Sequence, residues 1–303
     1  MEMYLEHFKF KELPFTITPN VGFFCSLKGH QEALNTLLFA LRSGEGFIKI
    51  VGEVGSGKTL LCRKLLNSLD EDFVTAYLPN PDLNPIELRR ALGRELGIDL
   101  SSLQDQNELL TQINNRLLTL HSEGKRIVLL LDEAQAIPSE SLETLRLLTN
   151  LETETTKLLQ VILFGQPELD ERLNSKNFRQ LKQRISFSYY LPLMSREDLD
   201  SYLFHRLATA GFSHAILFTS KARNILYNYS GGVPRIVNIL CHKALLTAYG
   251  KGEDRVTHKS MRYAIRDTDV AQLSNNKFLL SAIIGLSIVI LSLLILYFCK
   301  GII

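Results

Sequence analysis

The chain has 303 residues, about two domains' worth, because single hydrophobic cores stop growing near about 250 to 300 residues. Hydrophobic residues make up 46% and charged residues 22%, a globular balance that excludes a disordered scaffold. Lys and Arg exceed Asp and Glu only by 34 to 32, so nothing in the net charge points to nucleic acid or to a polybasic membrane patch.

The first residues, MEMYLEHFKF, carry charges where a secretion signal would have an apolar stretch, so no N-terminal signal is expected. Five strands are then predicted, at Phe47 to Val51, Phe73 to Leu78, Ile127 to Leu131, Leu158 to Phe164 and Ser186 to Leu191, each rich in Val, Ile, Leu or aromatics. Between them, Leu60 to Leu69, Pro85 to Leu96, Leu103 to His121 and Glu140 to Leu151 carry apolar residues at helical spacing. This alternation predicts an α/β domain with a parallel sheet covered on both faces. From Ser195 to about Asp267 the strand signals vanish, and helices are predicted around Asp198 to Ala210, Ser220 to Tyr229, Val233 to Ala248 and Lys259 to Arg266.

Phe278 to Cys299 form an uncharged run of 22 residues without amide or proline. As a helix it would extend roughly 33 Å, enough to cross a bilayer. Lys259, Arg262, Arg266 and Lys277 precede it and Lys300 alone follows, so the positive-inside rule predicts a cytoplasmic body with the C-terminus across the inner membrane. The expected division is an α/β domain over 1–194, a helical lid over 195–270, a juxtamembrane linker over 271–277 and a single transmembrane helix over 278–299. The four cysteines, Cys25, Cys62, Cys241 and Cys299, are too scattered for a disulfide framework or a CxxC metal site.

The chemistry concentrates after the first strand. Gly52, Glu53, Val54, Gly55, Ser56, Gly57, Lys58 and Thr59 match G-x-x-x-x-G-K-[ST] between a strand and a helical pattern, the setting that a phosphate-binding loop requires. Glycines let backbone N–H groups close around an anion at a helix N-terminus, Lys58 reaches the terminal phosphates, and the Thr59 hydroxyl ligates Mg²⁺. The third strand ends in Asp132 and Glu133, which resemble a Walker B pair: Asp132 holds the magnesium and Glu133 activates the attacking water. Gln166 follows the fourth strand and is a candidate sensor of the γ-phosphate if that strand neighbours the third. Arg179, Lys182 and Arg184 precede the fifth strand. A cation there either reaches a neighbouring subunit's nucleotide as an arginine finger or belongs to a solvated basic face. Gly231 to Arg235 place a proline near a helix start, with Arg235 positioned to lean on a nucleotide.

Taken together, these motifs resemble those of the AAA+ ATPases. Within them, the segments Phe8 to Pro19, His30 to Ala33, Gly52 to Thr59, Asp132 to Gln135, Phe164 to Glu168, His205 to Gly211 and Gly232 to Arg235 are similar to the ExeA/GspA group of secretion and pilus-assembly ATPases, most of all to those of mannose-sensitive haemagglutinin (type IV) pilus biogenesis. The resemblance covers nearly the whole chain. It implies a P-loop AAA+ fold with a five-stranded parallel sheet and a helical lid, and ATP with Mg²⁺ at Gly52 to Thr59 and Asp132. It further implies hydrolysis by Glu133, sensing by Gln166 and Arg235, and a ring of identical subunits. The expected partners are inner-membrane proteins of a type IV pilus or related secretion machine, with no nucleic acid. The peptidoglycan-binding region usual in this group is not expected here, so the resemblance does not extend to direct cell-wall remodelling. Asp132 to Gln135 also look like a helicase motif, but a helicase needs a second RecA-like domain. Phe8 to Phe24 either line an adenine pocket or pack on a sheet edge. A transposition-type DNA-binding ATPase and a non-hydrolysing ATP-dependent scaffold are the competing expectations.

Overall fold

The computed structural model describes residues 3–101, 105–152, 156–213 and 216–268. In chain order the elements are α1 (Met3–Phe8), α2 (Lys28–Arg42), β1 (Phe47–Gly52), α3 (Lys58–Leu66), β2 (Phe73–Leu78), α4 (Pro85–Glu95), α5 (Gln106–Ser122), β3 (Arg126–Leu131), α6 (Ser139–Leu148), β4 (Gln160–Gly165), α7 (Pro167–Leu173), α8 (Arg179–Arg184), β5 (Phe187–Leu191), α9 (Arg196–Thr209), α10 (Ser220–Ser230), α11 (Pro234–Gly250) and α12 (His258–Arg266). A 3₁₀ turn over Ala134–Ala136 follows β3. The chain divides into two compact units, Thr18–His205 and a second made of residues 3–17 with 206–268.

The first unit is an α/β P-loop fold. Its five strands are all parallel, as the sequence pattern predicts, and the structure sets their order as β2-β3-β4-β1-β5. Alternate residues of the central strands enter opposite cores. Phe47, Val51, Leu129, Leu131, Val161 and Leu163 face one core, while Ile48, Ile50, Val128, Leu130, Ile162 and Phe164 face the other. The first core is closed by apolar residues of α4, α5 and α6, and the second by α2 and α3. The central strands β3 and β4 are buried on both faces, and the chemistry-bearing residues Asp132, Glu133 and Gln166 follow their ends.

Only Lys49 breaks the apolar pattern of β1, and its ammonium pairs with Asp170 of α7. Helix α4 starts where a capping box forms. The Asn84 side-chain oxygen Oδ1 accepts from the Ile86 and Glu87 backbone amides, the Glu87 carboxylate accepts from the Asn84 backbone amide, and Pro85 occupies the first turn.

The second unit is helical. Helices α10, α11 and α12 pack together through Leu226, Val237, Leu240, Ala244, Met261 and Ala264, all buried. The first residues of the chain join this unit. The Tyr4 ring packs against Phe8, Phe10 and His242, the Lys11 amide donates to the Ala210 carbonyl at 2.8 Å, and Arg206 donates to the Pro14 carbonyl at 2.6 Å.

One expectation is corrected. Among the described residues no helix is long and apolar enough to cross a membrane, which removes structural support for a transmembrane helix and for single-pass inner-membrane placement. The apolar run over 278–299 and the linker over 271–277, on which that expectation rested, lie outside the described residues.

The two-sided core generates a stability prediction. Leu130 is fully buried at the centre of the sheet, and Leu130→Ala is expected to lower unfolding stability by about 3 kcal/mol through lost burial and a residual cavity. Urea denaturation checks this, and a change of less than about 1 kcal/mol would contradict the packing described here.

Candidate nucleotide site

The phosphate-binding loop follows from local geometry. β1 ends at Gly52, and α3 begins at Lys58 with Gly57 as its left-handed cap, at φ 102°. Gly55 is also left-handed, at φ 77°, a conformation that glycine adopts without steric cost. Close approach fixes two of the glycines. A Cβ on Gly52 would lie 2.9 Å from Ser56 Oγ, and one on Gly57 would lie 2.8 Å from His30 Nε2. Ser56 Oγ is buried and has no hydrogen-bond partner among the described residues.

Lys58 is buried, and its ammonium donates to the carbonyls of Gly52 at 2.7 Å and Glu53 at 3.0 Å, across the mouth of the loop. Burial pushes its pKa below the ordinary lysine value, while the charges of Glu133, Asp132, Glu53 and Glu168 oppose that shift. Asp132 shows the converse. Burial raises its carboxyl above the usual range, against hydrogen bonds from the Thr59 side chain and the Glu133 amide, the latter at 2.9 Å. Thr59, next to Lys58 in the first turn of α3, lies close enough to Asp132 to act on its carboxyl. One hydroxyl and one carboxylate suit Mg²⁺, which keeps several waters and takes its remaining protein-side ligands sparingly.

Glu133 sits in the left-handed region at φ 52° and ψ 40°, a conformation costing about 1 to 2 kcal/mol for a non-glycine residue. Its Oε2 accepts from the side-chain amides of Gln135 at 2.6 Å and Gln166 at 2.8 Å. Gln166 reaches it because β4 lies beside β3 in the sheet. The structure thus brings together Lys58, Thr59, Asp132, Glu133 and Gln166. Arg179 is exposed and Arg184 half-buried, at opposite ends of α8, and neither makes a polar contact with that group among the described residues. Lys182 donates to Asn174 at 2.7 Å. Arg235 stands exposed in the first turn of α11, in the helical unit. The Phe-rich N-terminal segment divides: Phe8, Phe10 and Phe15 belong to the helical unit, while Phe24 packs near His30, with Lys64 over its ring.

Several residues take roles at the site that the motifs do not assign, although His30 and Gln135 lie within segments that resemble the family. His30 of α2 is buried under the loop, and its Nε2–H donates to the Ser56 carbonyl at 3.0 Å. The Tyr190 hydroxyl donates to Glu53 at 3.1 Å, and burial with that bond raises its pKa. Gln135 and Arg172 contact the Glu133 segment from within and from α7. Helical spacing could have located His30 on the inner face of α2; the others become visible only in three dimensions. A cavity of about 530 Å³ lies at the other end of the sheet, near the starts of β3 and β4. Of the cations that line it, Lys125 donates to the Glu71 carbonyl and Arg126 to the Arg42 carbonyl, and the lining shares no residue with the nucleotide site.

Residues 41–173 match the family model described as an AAA domain. General secretion pathway protein A of Aeromonas hydrophila is 41% identical over 262 residues, covering 86% of this chain and 48% of that protein. The chain belongs to the ExeA/GspA-type AAA+ family. It spans about half the length of the curated relative that it matches, 48%. Among solved structures, the Aeropyrum pernix ORC2 protein aligns with a TM-score of 0.61 at 21% identity, covering 80% of this chain and 68% of that one. Cdc6p from Pyrobaculum aerophilum aligns with a TM-score of 0.63 at 15% identity, covering 81% and 70%. These two likenesses show the shared fold.

The buried histidine yields a pH prediction. Burial lowers the His30 pKa, outweighing the Ser56 bond and the Asp198 charge that act to raise it. Below about 6.5, the ordinary imidazole value, the unfolded chain takes a proton that the folded chain refuses. Stability therefore falls as pH drops from there towards the lowered folded value, and is unaffected by this group above it. His242, also lowered by burial, contributes in the same direction. The pH dependence of the unfolding midpoint is expected to be shallower in His30→Gln than in the wild type below about pH 6.5. Identical slopes in the two proteins would contradict this reading of His30.

Proposed function

We propose that the chain is an ATPase that binds ATP with Mg²⁺ and hydrolyses it to ADP and phosphate, driving assembly or positioning of a type IV pilus, as in mannose-sensitive haemagglutinin pili, or of a related secretion machine. The observation that supports this most is the convergence of Lys58, Thr59, Asp132, Glu133 and Gln166 at one edge of the sheet. The 41% identity to general secretion pathway protein A supports the secretion context.

In this reading the amides of Gly52 to Thr59 cradle the phosphates and Lys58 leaves its two carbonyl partners to meet the terminal phosphates. Thr59 and Asp132 hold Mg²⁺, which when bound neutralises charge developing on the phosphate oxygens. Glu133 orients the attacking water and takes its proton. Gln166 and Arg235 sense the terminal phosphate, and Arg184, or failing it Arg179, acts in trans on a neighbouring subunit of a homo-oligomeric ring. The unit Thr18–His205 carries the nucleotide chemistry and the helical unit serves as the lid, in place of the expected division at 194/195. Partner proteins of the pilus or secretion assembly receive the resulting motion.

Two variants separate binding from chemistry. Lys58→Ala is expected to weaken ATP binding by about tenfold or more, the worth of a charge-assisted contact. Glu133→Gln should keep ATP affinity while its turnover falls by about 10² to 10⁴. Equal ATP affinity in Lys58→Ala and wild type, measured by calorimetry, would remove the phosphate-loop assignment.

The ring model has its own check. Specific activity should rise with protein concentration, since an arginine supplied in trans adds about 10³ to 10⁵ in rate. Mixing Arg184→Ala with Glu133→Gln should restore part of the activity that each lacks alone. Flat specific activity, with neither Arg184 nor Arg179 affecting it, would contradict the ring.

A further inference from the structure

We infer that Gln135 and Arg172 are positioning residues that brace Glu133 and leave one chosen oxygen of its carboxylate available to water. The inference rests on the hydrolytic reading above and deepens it.

The Gln135 side chain works at both ends. Its carbonyl oxygen accepts from the Gln166 backbone amide at 3.0 Å, and because a backbone N–H can only donate, the Gln135 amide nitrogen must face Glu133. There it donates to Glu133 Oε2 at 2.6 Å. Gln135 thereby ties Glu133, the second residue beyond β3, to Gln166, the first beyond β4, independently of the Gln166 side chain.

The Gln166 amide donates to the same Oε2, at 2.8 Å. With both donors on Oε2, no hydrogen bond to Oε1 is found among the described residues. Two bonds to one oxygen fix the plane and the direction of the carboxylate, and Oε1 is the oxygen left to accept a proton.

The turn that carries Gln135 is itself held from outside. The Arg172 guanidinium donates one N–H to the Gln135 carbonyl at 2.6 Å and another to the Ile137 carbonyl at 2.7 Å. A planar guanidinium can serve both carbonyls at once, whereas a lysine ammonium is a single point charge on a flexible stem. Arg172 lies on α7, whose Asp170 pairs with Lys49 of β1, so the brace is anchored to the strand that leads into the phosphate loop. Gln135 itself makes no hydrogen bond to the phosphate loop among the described residues, so its loss should leave binding intact while disturbing the direction of Glu133.

The test measures ATP turnover and ATP affinity together in full-length wild type, Gln135→Ala, Gln135→Met and Arg172→Lys, with thermal unfolding as a folding control. Gln135→Met keeps the bulk of the side chain without its donor and acceptor, and is read in place of Gln135→Ala if the latter unfolds. Both Gln135 variants are expected to lose about tenfold to a hundredfold in kcat, the scale of a misplaced catalytic group, with unchanged ATP affinity. Arg172→Lys should lose turnover in the same direction. Adding Gln135→Ala to Glu133→Gln should cost nothing further, because both act on one function. Full activity in Gln135→Met, or a multiplicative loss in the double variant, overturns the brace while leaving hydrolysis by Glu133 standing. A wild type that binds ATP but never turns it over overturns the hydrolytic reading and the brace with it.

Discussion

The placement of β4 between β1 and β3 is the constraint on which the site depends. β1 ends in the phosphate loop and β3 in Asp132 and Glu133, while β4 ends in Gln166. Because all three strands run parallel, their polar C-terminal residues emerge along one edge, the position where open α/β sheets place ligands. Burial of both faces enforces this. Residues such as Leu129 and Leu130 disfavour an unpaired polar group inside the sheet; Lys49 of β1 is tolerated with Asp170 as its partner, and Asp132, Glu133 and Gln166 lie beyond the strand ends.

Collecting them there has an electrostatic cost that the site distributes among its members. Lys58 and Asp132 are each shifted towards neutrality by burial; the surrounding carboxylates oppose this for Lys58, and hydrogen bonds together with the Lys58 charge oppose it for Asp132. Glu133 is fixed by amide donors and a left-handed backbone instead of by a cation at hydrogen-bond distance. His30, neutral and buried, supports the loop from behind through the Ser56 carbonyl without adding a charge. The arrangement keeps the Lys58 ammonium and the Glu133 carboxylate close enough for their charges to interact while each is tethered by its own hydrogen bonds.

The sheet was largely legible in the sequence because dry strands appear as short, continuous apolar runs. Strand limits shift by a residue or two, since ladder hydrogen bonds and not hydropathy decide where β1 and β4 stop. Helix α2 carries apolar positions Ala33, Leu34, Leu37 and Leu41 at helical spacing, yet it lies outside the predicted elements, and with it His30. Helices α7 and α8, at 7 and 6 residues, are too short for a period to be read. The phosphate loop and the Asp132–Glu133 pair declare themselves by spacing. The Gln135 and Arg172 contacts do not, because they depend on strand order and on a helix started by Pro167. Likewise, local pattern does not reveal that residues 3–17 join the helical unit; contacts such as Tyr4 with His242 determine it.

The central claim is that Glu133 directs a water at the terminal phosphate of a nucleotide seated on Gly52 to Thr59. A crystal structure of the protein with ADP, Mg²⁺ and aluminium fluoride, which mimics the phosphate in transfer, tests it most directly. The account predicts the fluoride centre beside Lys58, Mg²⁺ on Thr59 and Asp132, and an in-line water hydrogen-bonded to Glu133 Oε1 while Gln135 holds Oε2. A water held by another group, with Glu133 turned away from the fluoride, would contradict it.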